Sequence, residues 1–204
     1  MATIDVKSAD RLALTVNVNL VSLFFQLLGH GFCVSVQTGC SVKELLCDQL
    51  GIHEDYLAER IQTIFLNAKV VDDVNSANVN DGSVLALSGA MPGLVGAILR
   101  SGGIYAGMRS QISHEKDTPT SQLKNGRITL KLWNLVVKEL GPTFLQQGIW
   151  IKGEEIRSFI DRHSEELKTG CISVKLDGNS VEINHLQDIT WNADLVFLQV
   201  ISNK

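Results

Sequence analysis

The sequence predicts an α+β protein built from two similar units in tandem, and three observations carry that prediction. Short apolar/polar alternations recur along the chain, separated by turn residues, and each group of them surrounds one principal amphipathic stretch. The order of these elements in the first half is repeated in the second. A polar segment, residues 110–127, divides the halves and contains Thr-Pro-Thr and Asn-Gly. The expected organisation is a first unit at 1–109, a linker at 110–127 and a second unit at 128–204.

In the first half, residues 14–20 alternate in the manner of a half-buried strand. Residues 21–28 form an apolar run ending at Gly29, which suits a short buried helix closed by glycine. A second strand is expected at 32–36. Ser41 and Glu44 then have the spacing of a capping box, in which each side chain satisfies a backbone donor of the other. Val42, Leu45, Leu46 and Leu50 follow at helical spacing, and Gly51 ends the helix. A further helical turn is expected at 54–60. Residues 61–66 and 69–71 flank Asn67-Ala68 as a hairpin, and Asn80-Asp81-Gly82 launches a strand at 83–88.

The repeat places residues 18–29 on 130–141 without gaps, each segment leading into a short apolar strand (32–34 or 149–151). The helix at 42–50 matches 154–167, whose apolar face is Ile156, Phe159, Ile160 and Leu167. Residues 64–68 match 174–178 as strand into tight turn, and 79–87 match 189–198.

Composition narrows the function classes. The chain has 204 residues, 45% hydrophobic and 20% charged, with enough apolar mass to offset chain entropy. Net charge is −4, shared evenly along the chain: 7 basic and 10 acidic residues in 1–112, 11 and 12 in 113–204. No basic face for nucleic acid is supplied. The acidic N-terminal residues Asp5 and Asp10 do not resemble a signal peptide, so a cytoplasmic location with reduced cysteines is expected. Residues 82–99 lack charge over 18 positions, near the length of a short membrane span, but Pro92 and four glycines within the run argue against a spanning helix.

The segment 130–141 resembles the opening of the small sulfur-carrier proteins of molybdopterin and thiamine synthesis, and residues 65–71 with 80–87 resemble their last hairpin and final strand. The resemblance implies two ubiquitin-like β-grasp units, over residues 12–88 and 128–201. It also implies chemistry at a C-terminal Gly-Gly, adenylated by a partner enzyme and converted to a thiocarboxylate. This sequence ends Ser202-Asn203-Lys204 instead, so a carrier would require cleavage after Gly103, in the run Arg100-Ser101-Gly102-Gly103.

The other chemistry-bearing residues form no catalytic constellation. Gly89, Gly93 and Gly96, with Arg100 as counter-charge, invite a phosphate-loop reading, but the spacing is not that of a P-loop or dinucleotide fingerprint. Close apolar packing is the favoured alternative, making 89–107 a Gly-rich extension for a protein partner or self-association. Cys33, Cys40 and Cys47, seven apart, and Cys171 have no zinc or iron–sulfur spacing, and the five histidines no ligand pairing. Asp72, Asp73 and Asp81 fall at expected turns, and Trp133, Trp150 and Trp191 in or beside elements of the second unit. The expectation is a non-enzymatic binding or adaptor protein with no cofactor, no metal, no nucleic acid and no membrane association. The alternatives are the cleaved sulfur-carrier precursor and a nucleotide or small-ligand binder at 89–96. Candidate binding residues are Gly89, Gly93, Gly96, Arg100, Gly102 and Gly103.

Overall fold

A computed structural model describes residues 10–109, 112–114, 122–191 and 194–203. The first half runs β1 (Arg11–Asn17), a 3-10 stretch (Val18–Phe24), α1 (Phe25–His30), β2 (Phe32–Thr38), β3 (Cys40–Ser41), α2 (Val42–Glu44), a π-turn (Leu45–Gln49) and α3 (Glu54–Glu59). Next come β4 (Thr63–Leu66), β5 (Lys69–Val70), β6 (Asn78–Val79), β7 (Val84–Ser88), α4 (Gly93–Leu99) and a 3-10 turn (Ala106–Arg109). The remainder is β8 (Lys124–Trp133), α5 (Leu135–Gln147), β9 (Ile149–Lys152), α6 (Gly153–Arg162), α7 (Ser164–Gly170), β10 (Cys171–Leu176), β11 (Asn179–Val181), a 3-10 stretch (Ile183–Asp188) and β12 (Leu195–Asn203).

Two compact units form, and only one of them is a continuous stretch of chain. One comprises residues 1–32 with 140–204, the other 33–139. In the first, the strand order is β11-β10-β1-β12-β9. β1 lies parallel to β12, with Leu12 opposite Leu198 and Leu14 opposite Val200, and antiparallel to β10. These four side chains are buried, and each such burial contributes about 1.5–3 kcal/mol. Phe24 and Phe159 close the same core with ring centroids 4.9 Å apart.

In the second unit the order is β2-β8-β7-β4-β5. β7 and β8 are parallel, with Leu85 opposite Leu130 and Leu87 opposite Leu132, and β4 pairs antiparallel with β7. The expected capping box is formed: Glu44 N–H donates to Ser41 Oγ at 3.2 Å, and Ser41 N–H donates to Glu44 Oε2 at 2.8 Å. The helix it starts widens into the π-turn. There Gln49 clamps β2, accepting from Gln37 N–H at 2.8 Å and donating to the Gln37 carbonyl at 2.9 Å.

The expectation of two β-grasp units in tandem is overturned. The ten strands do not fall into two sequential sets of five. β8, expected to open the second unit, is hydrogen-bonded to β7 of the first half, and β1, expected to open the first, lies between β10 and β12. The physical reason is that the two strands carry the same buried triplet at i, i+2 and i+4. It is Leu12, Leu14 and Val16 in one and Ile128, Leu130 and Leu132 in the other. A period-2 pattern fixes which face is buried but not which neighbour covers it. The gapless alignment also slips, since it sets Val18–Leu20, part of a 3-10 stretch, against Leu130–Leu132 of β8.

β8 begins at Lys124, inside the segment expected to be a linker; residues 110–111 and 115–121 of that segment lie outside the described residues. The two tight turns stand as expected. Asn67 (φ 50°) and Ala68 (φ 65°) join β4 to β5, and Asp177 (φ 51°) and Gly178 (φ 83°) join β10 to β11. The helix expected at 154–167 is two helices, α6 and α7, broken at His163.

Candidate functional site

The segment after β7 leaves the sheet of the second unit as an excursion and returns to it. Pro92 and Gly93 start α4, and Gly96 lets that helix lie against the preceding chain. A Cβ at Gly96 would sit 1.9 Å from the Met91 carbonyl oxygen, a distance no side chain tolerates. The chain then turns through Gly102 (φ 63°) and ends the excursion in the 3-10 turn closed by Arg109.

Arg109 holds the excursion down. Its side chain is 1% exposed, and its donors are taken on every side. Nη1 donates to Asp72 Oδ2 at 3.0 Å and to Ser113 Oγ at 2.9 Å. Nη2 donates to Asp72 Oδ1 at 2.5 Å and to the Arg100 carbonyl at 3.1 Å, and Nε donates to the Ile98 carbonyl at 2.7 Å. A forked guanidinium–carboxylate pair combines charge and fixed geometry. Partial burial of Asp72 raises its pKa, but hydrogen bonds from Arg109 and from Gly102 N–H (3.0 Å) outweigh that and hold the carboxyl below its ordinary range. Beyond Arg109, Val70 N–H donates to the Ile112 carbonyl and His114 N–H to the Val70 carbonyl, so the returning chain runs beside β5.

What the excursion presents outward is apolar. Leu94 and Val95 are each 67% exposed, Met108 72% and Ile104 98%, with Tyr105 and Ile112 also exposed. Monomeric surfaces seldom gather large apolar groups on one short segment without a use for them.

Beside the excursion, the second unit encloses a cleft of about 380 Å³. Its floor is the buried Leu57, Ile61 and Ile64, and Lys43, Asn75 and Arg100 stand around it. Lys43 pairs with Glu54 at 2.9 Å, and Arg100 donates to the side-chain carbonyl of Gln62. Ser101 ties its wall down by donating its N–H to the Gln62 carbonyl (2.9 Å) and its hydroxyl to the Val71 carbonyl. A third polar cluster joins α3 to α5: Tyr56 donates to Glu139 Oε2 at 2.7 Å, and Arg60 forms an ion pair with the same carboxylate. Hydrogen bonds from Arg60 and Tyr56 hold Glu139 below the usual carboxylate range.

The six residues singled out in the sequence do not converge on one point. Gly89 is in ordinary contact with Leu135 and the Arg60 carbonyl, and Gly96 packs on Met91. Gly93 starts a helix of seven residues. Arg100 alone reaches the cleft. Gly102 and Gly103 are not a loose pair, because Gly102 N–H is engaged by Asp72 and Gly103 N–H donates to the Arg100 carbonyl at 3.1 Å.

The residues that organise the region, Asp72 and Arg109, were not identified from the sequence, where Asp72 passed for a solvated turn carboxylate. A signal was present: Arg109 is the one Lys, Arg, Asp or Glu between residues 101 and 114, and a charge buried with apolar neighbours needs a partner. Cys40 and Cys171 are buried thiols, and burial pushes both above the ordinary thiol range. Among the described residues no group of three or more His, Cys, Asp and Glu side chains could hold a metal ion, and no helix is long and apolar enough to cross a membrane. No family model, curated protein or solved structure matches the chain.

Proposed function

We propose that this chain is a non-catalytic binding or adaptor protein, and that residues 89–109, with Ile112, are the surface on which a protein partner docks. The observation that carries the reading is that exposed Leu94, Val95, Ile104, Tyr105, Met108 and Ile112 belong to a segment pinned by a buried arginine. Ordering an apolar segment before the partner arrives lowers the entropy cost of association. Tyr and Met are also enriched where partners bury apolar surface. The partner chemistry is therefore an apolar protein surface. A net charge of −4 favours a protein over nucleic acid. Four free cysteines favour the cytoplasm, where thiols stay reduced.

Neither alternative has comparable support. A carrier cleaved after Gly103 would need that glycine in a free, threading tail, whereas the amides of Gly102 and Gly103 are both engaged. A phosphate loop at 89–96 would need converging backbone donors, and its glycines serve packing and a short helix instead.

The test is site-specific photo-crosslinking in the native cell. A benzophenone amino acid is placed at Leu94, Ile104 or Met108, and at exposed Ile172 of the other unit as control. The expected result is one discrete protein adduct shared by the three positions and missing from the control. Adducts equal in pattern at all four positions, or none at all, would overturn the reading.

A further inference from the structure

We propose that the cleft beside the excursion is a second binding site, separate from the exposed apolar side chains that would meet a partner although Arg100 and Ser101 belong to the same segment, and that it takes a compact apolar acid by its carboxylate. Three features of the cleft point the same way. Its volume, about 380 Å³, falls in the range of small-molecule sites, and its floor of Leu57, Ile61 and Ile64 is apolar and buried.

Its walls are fixed before any ligand arrives. Ser101 is bonded to the Gln62 and Val71 carbonyls, Lys43 N–H donates to the Val74 carbonyl at 3.0 Å, and Asn75 N–H donates to Asp73 at 3.0 Å.

The charges of the lining then cancel in pairs until one remains. Lys43 is neutralised by Glu54 at 2.9 Å. Asp72 is neutralised by the Arg109 fork from behind the wall. Arg100 bonds the neutral amide of Gln62, and among the described residues it forms no ion pair, the cleft's carboxylates Glu54 and Asp72 being held by Lys43 and Arg109. A guanidinium carries five donors, so that single bond leaves a fork free to receive a planar anion. A cation beside an apolar floor selects a ligand with one carboxylate and a short apolar body, and disfavours a cation or a polyanion. Such an acid is either a free small molecule or the C-terminal residue of another chain, which offer the same chemistry.

Amide chemical shifts of the full chain, titrated with phenylacetate, test the site, with 2-phenylethylammonium as the charge-reversed control. Saturable shifts at Leu57, Ile61, Ile64, Asn75 and Ser101 are expected with the acid and not with the amine. Arg100→Gln should weaken binding about tenfold while leaving the rest of the spectrum in place, since among the described residues its side chain makes no other bond. Ala58→Trp, which fills the cleft from its lining, should abolish binding. A tetrapeptide ending in a free phenylalanine carboxylate, against its amidated form, separates the sources. Tighter binding than phenylacetate assigns the ligand to a chain terminus, and weaker binding to a free small acid. Shifts that do not saturate, that are equal for the amine, or that survive Arg100→Gln unchanged would overturn the proposal.

Discussion

Arg109 and Asp72 form a forked pair, with Nη1 3.0 Å from Oδ2 and Nη2 2.5 Å from Oδ1, and the two ends of the pair differ in their access to water. The arginine side chain is 1% exposed and the aspartate 37%. The pair links the turn after β5 to the returning end of the excursion, so the ordering of residues 89–109 depends on it.

That asymmetry predicts unequal mutational costs. Asp72→Asn leaves a buried guanidinium without its counter-charge, whereas Arg109→Met leaves a carboxylate that can rehydrate. Asp72→Asn should therefore destabilise more, by about 3–5 kcal/mol, and Arg109→Met by less. Urea unfolding of the two variants measures the order, and the reverse order would contradict the structure.

The same pair sets a dependence on acid. Asp72 has a folded pKa below its unfolded value, so the deprotonated form contributes stability above the unfolded value of about 3.9, and that contribution is lost as pH falls through the folded pKa. The Gly102 amide, bonded to Asp72, should lose its hydrogen-exchange protection in that acid window and keep it at neutral pH. Glu139 shifts in the same direction, so the Tyr56–Arg60–Glu139 cluster should loosen on acidification as well.

Gly96→Ala places a methyl group against the Met91 carbonyl and should cost about 1–3 kcal/mol, with faster exchange across α4. Gly107→Ala meets nothing within 4 Å and should be close to neutral. Thermal unfolding and hydrogen exchange of the two variants, measured together, separate this steric effect from a general intolerance of the segment.

Cutting the chain by sequence half should fail where cutting by compact unit succeeds. Residues 1–109 lack β8, which leaves β7 without its parallel neighbour and exposes Leu85 and Leu87 along that edge. Residues 33–139 keep all five strands of their unit apart from Phe32. Dispersed amide spectra are expected for the 33–139 fragment and collapsed ones for 1–109. Folding of 1–109 alone would count against the strand order.

Local features were legible in the sequence because they are encoded locally. Ser41 and Glu44 form their box, and the Asn67-Ala68 and Asp177-Gly178 turns adopt the positive φ their residue types allow. The apolar excursion was recognised from its missing charges. What the region depends on was missed, because Asp72 and Arg109 are 37 residues apart and nothing local to either announces the other.

By itself, then, the sequence determined the capping box, the two tight turns, the alternating buried faces of β1 and β8 and the apolar character of 89–107. The tertiary structure alone decided which strand lies beside which, and that Gly102 and Gly103 are anchored rather than free. The reason is physical: side-chain alternation and turn chemistry act within a few residues, while Leu12-Leu14-Val16 and Ile128-Leu130-Leu132 present the same face to the core. Only the long-range competition for neighbours, resolved as β1 with β12 and β8 with β7, tells the two apart.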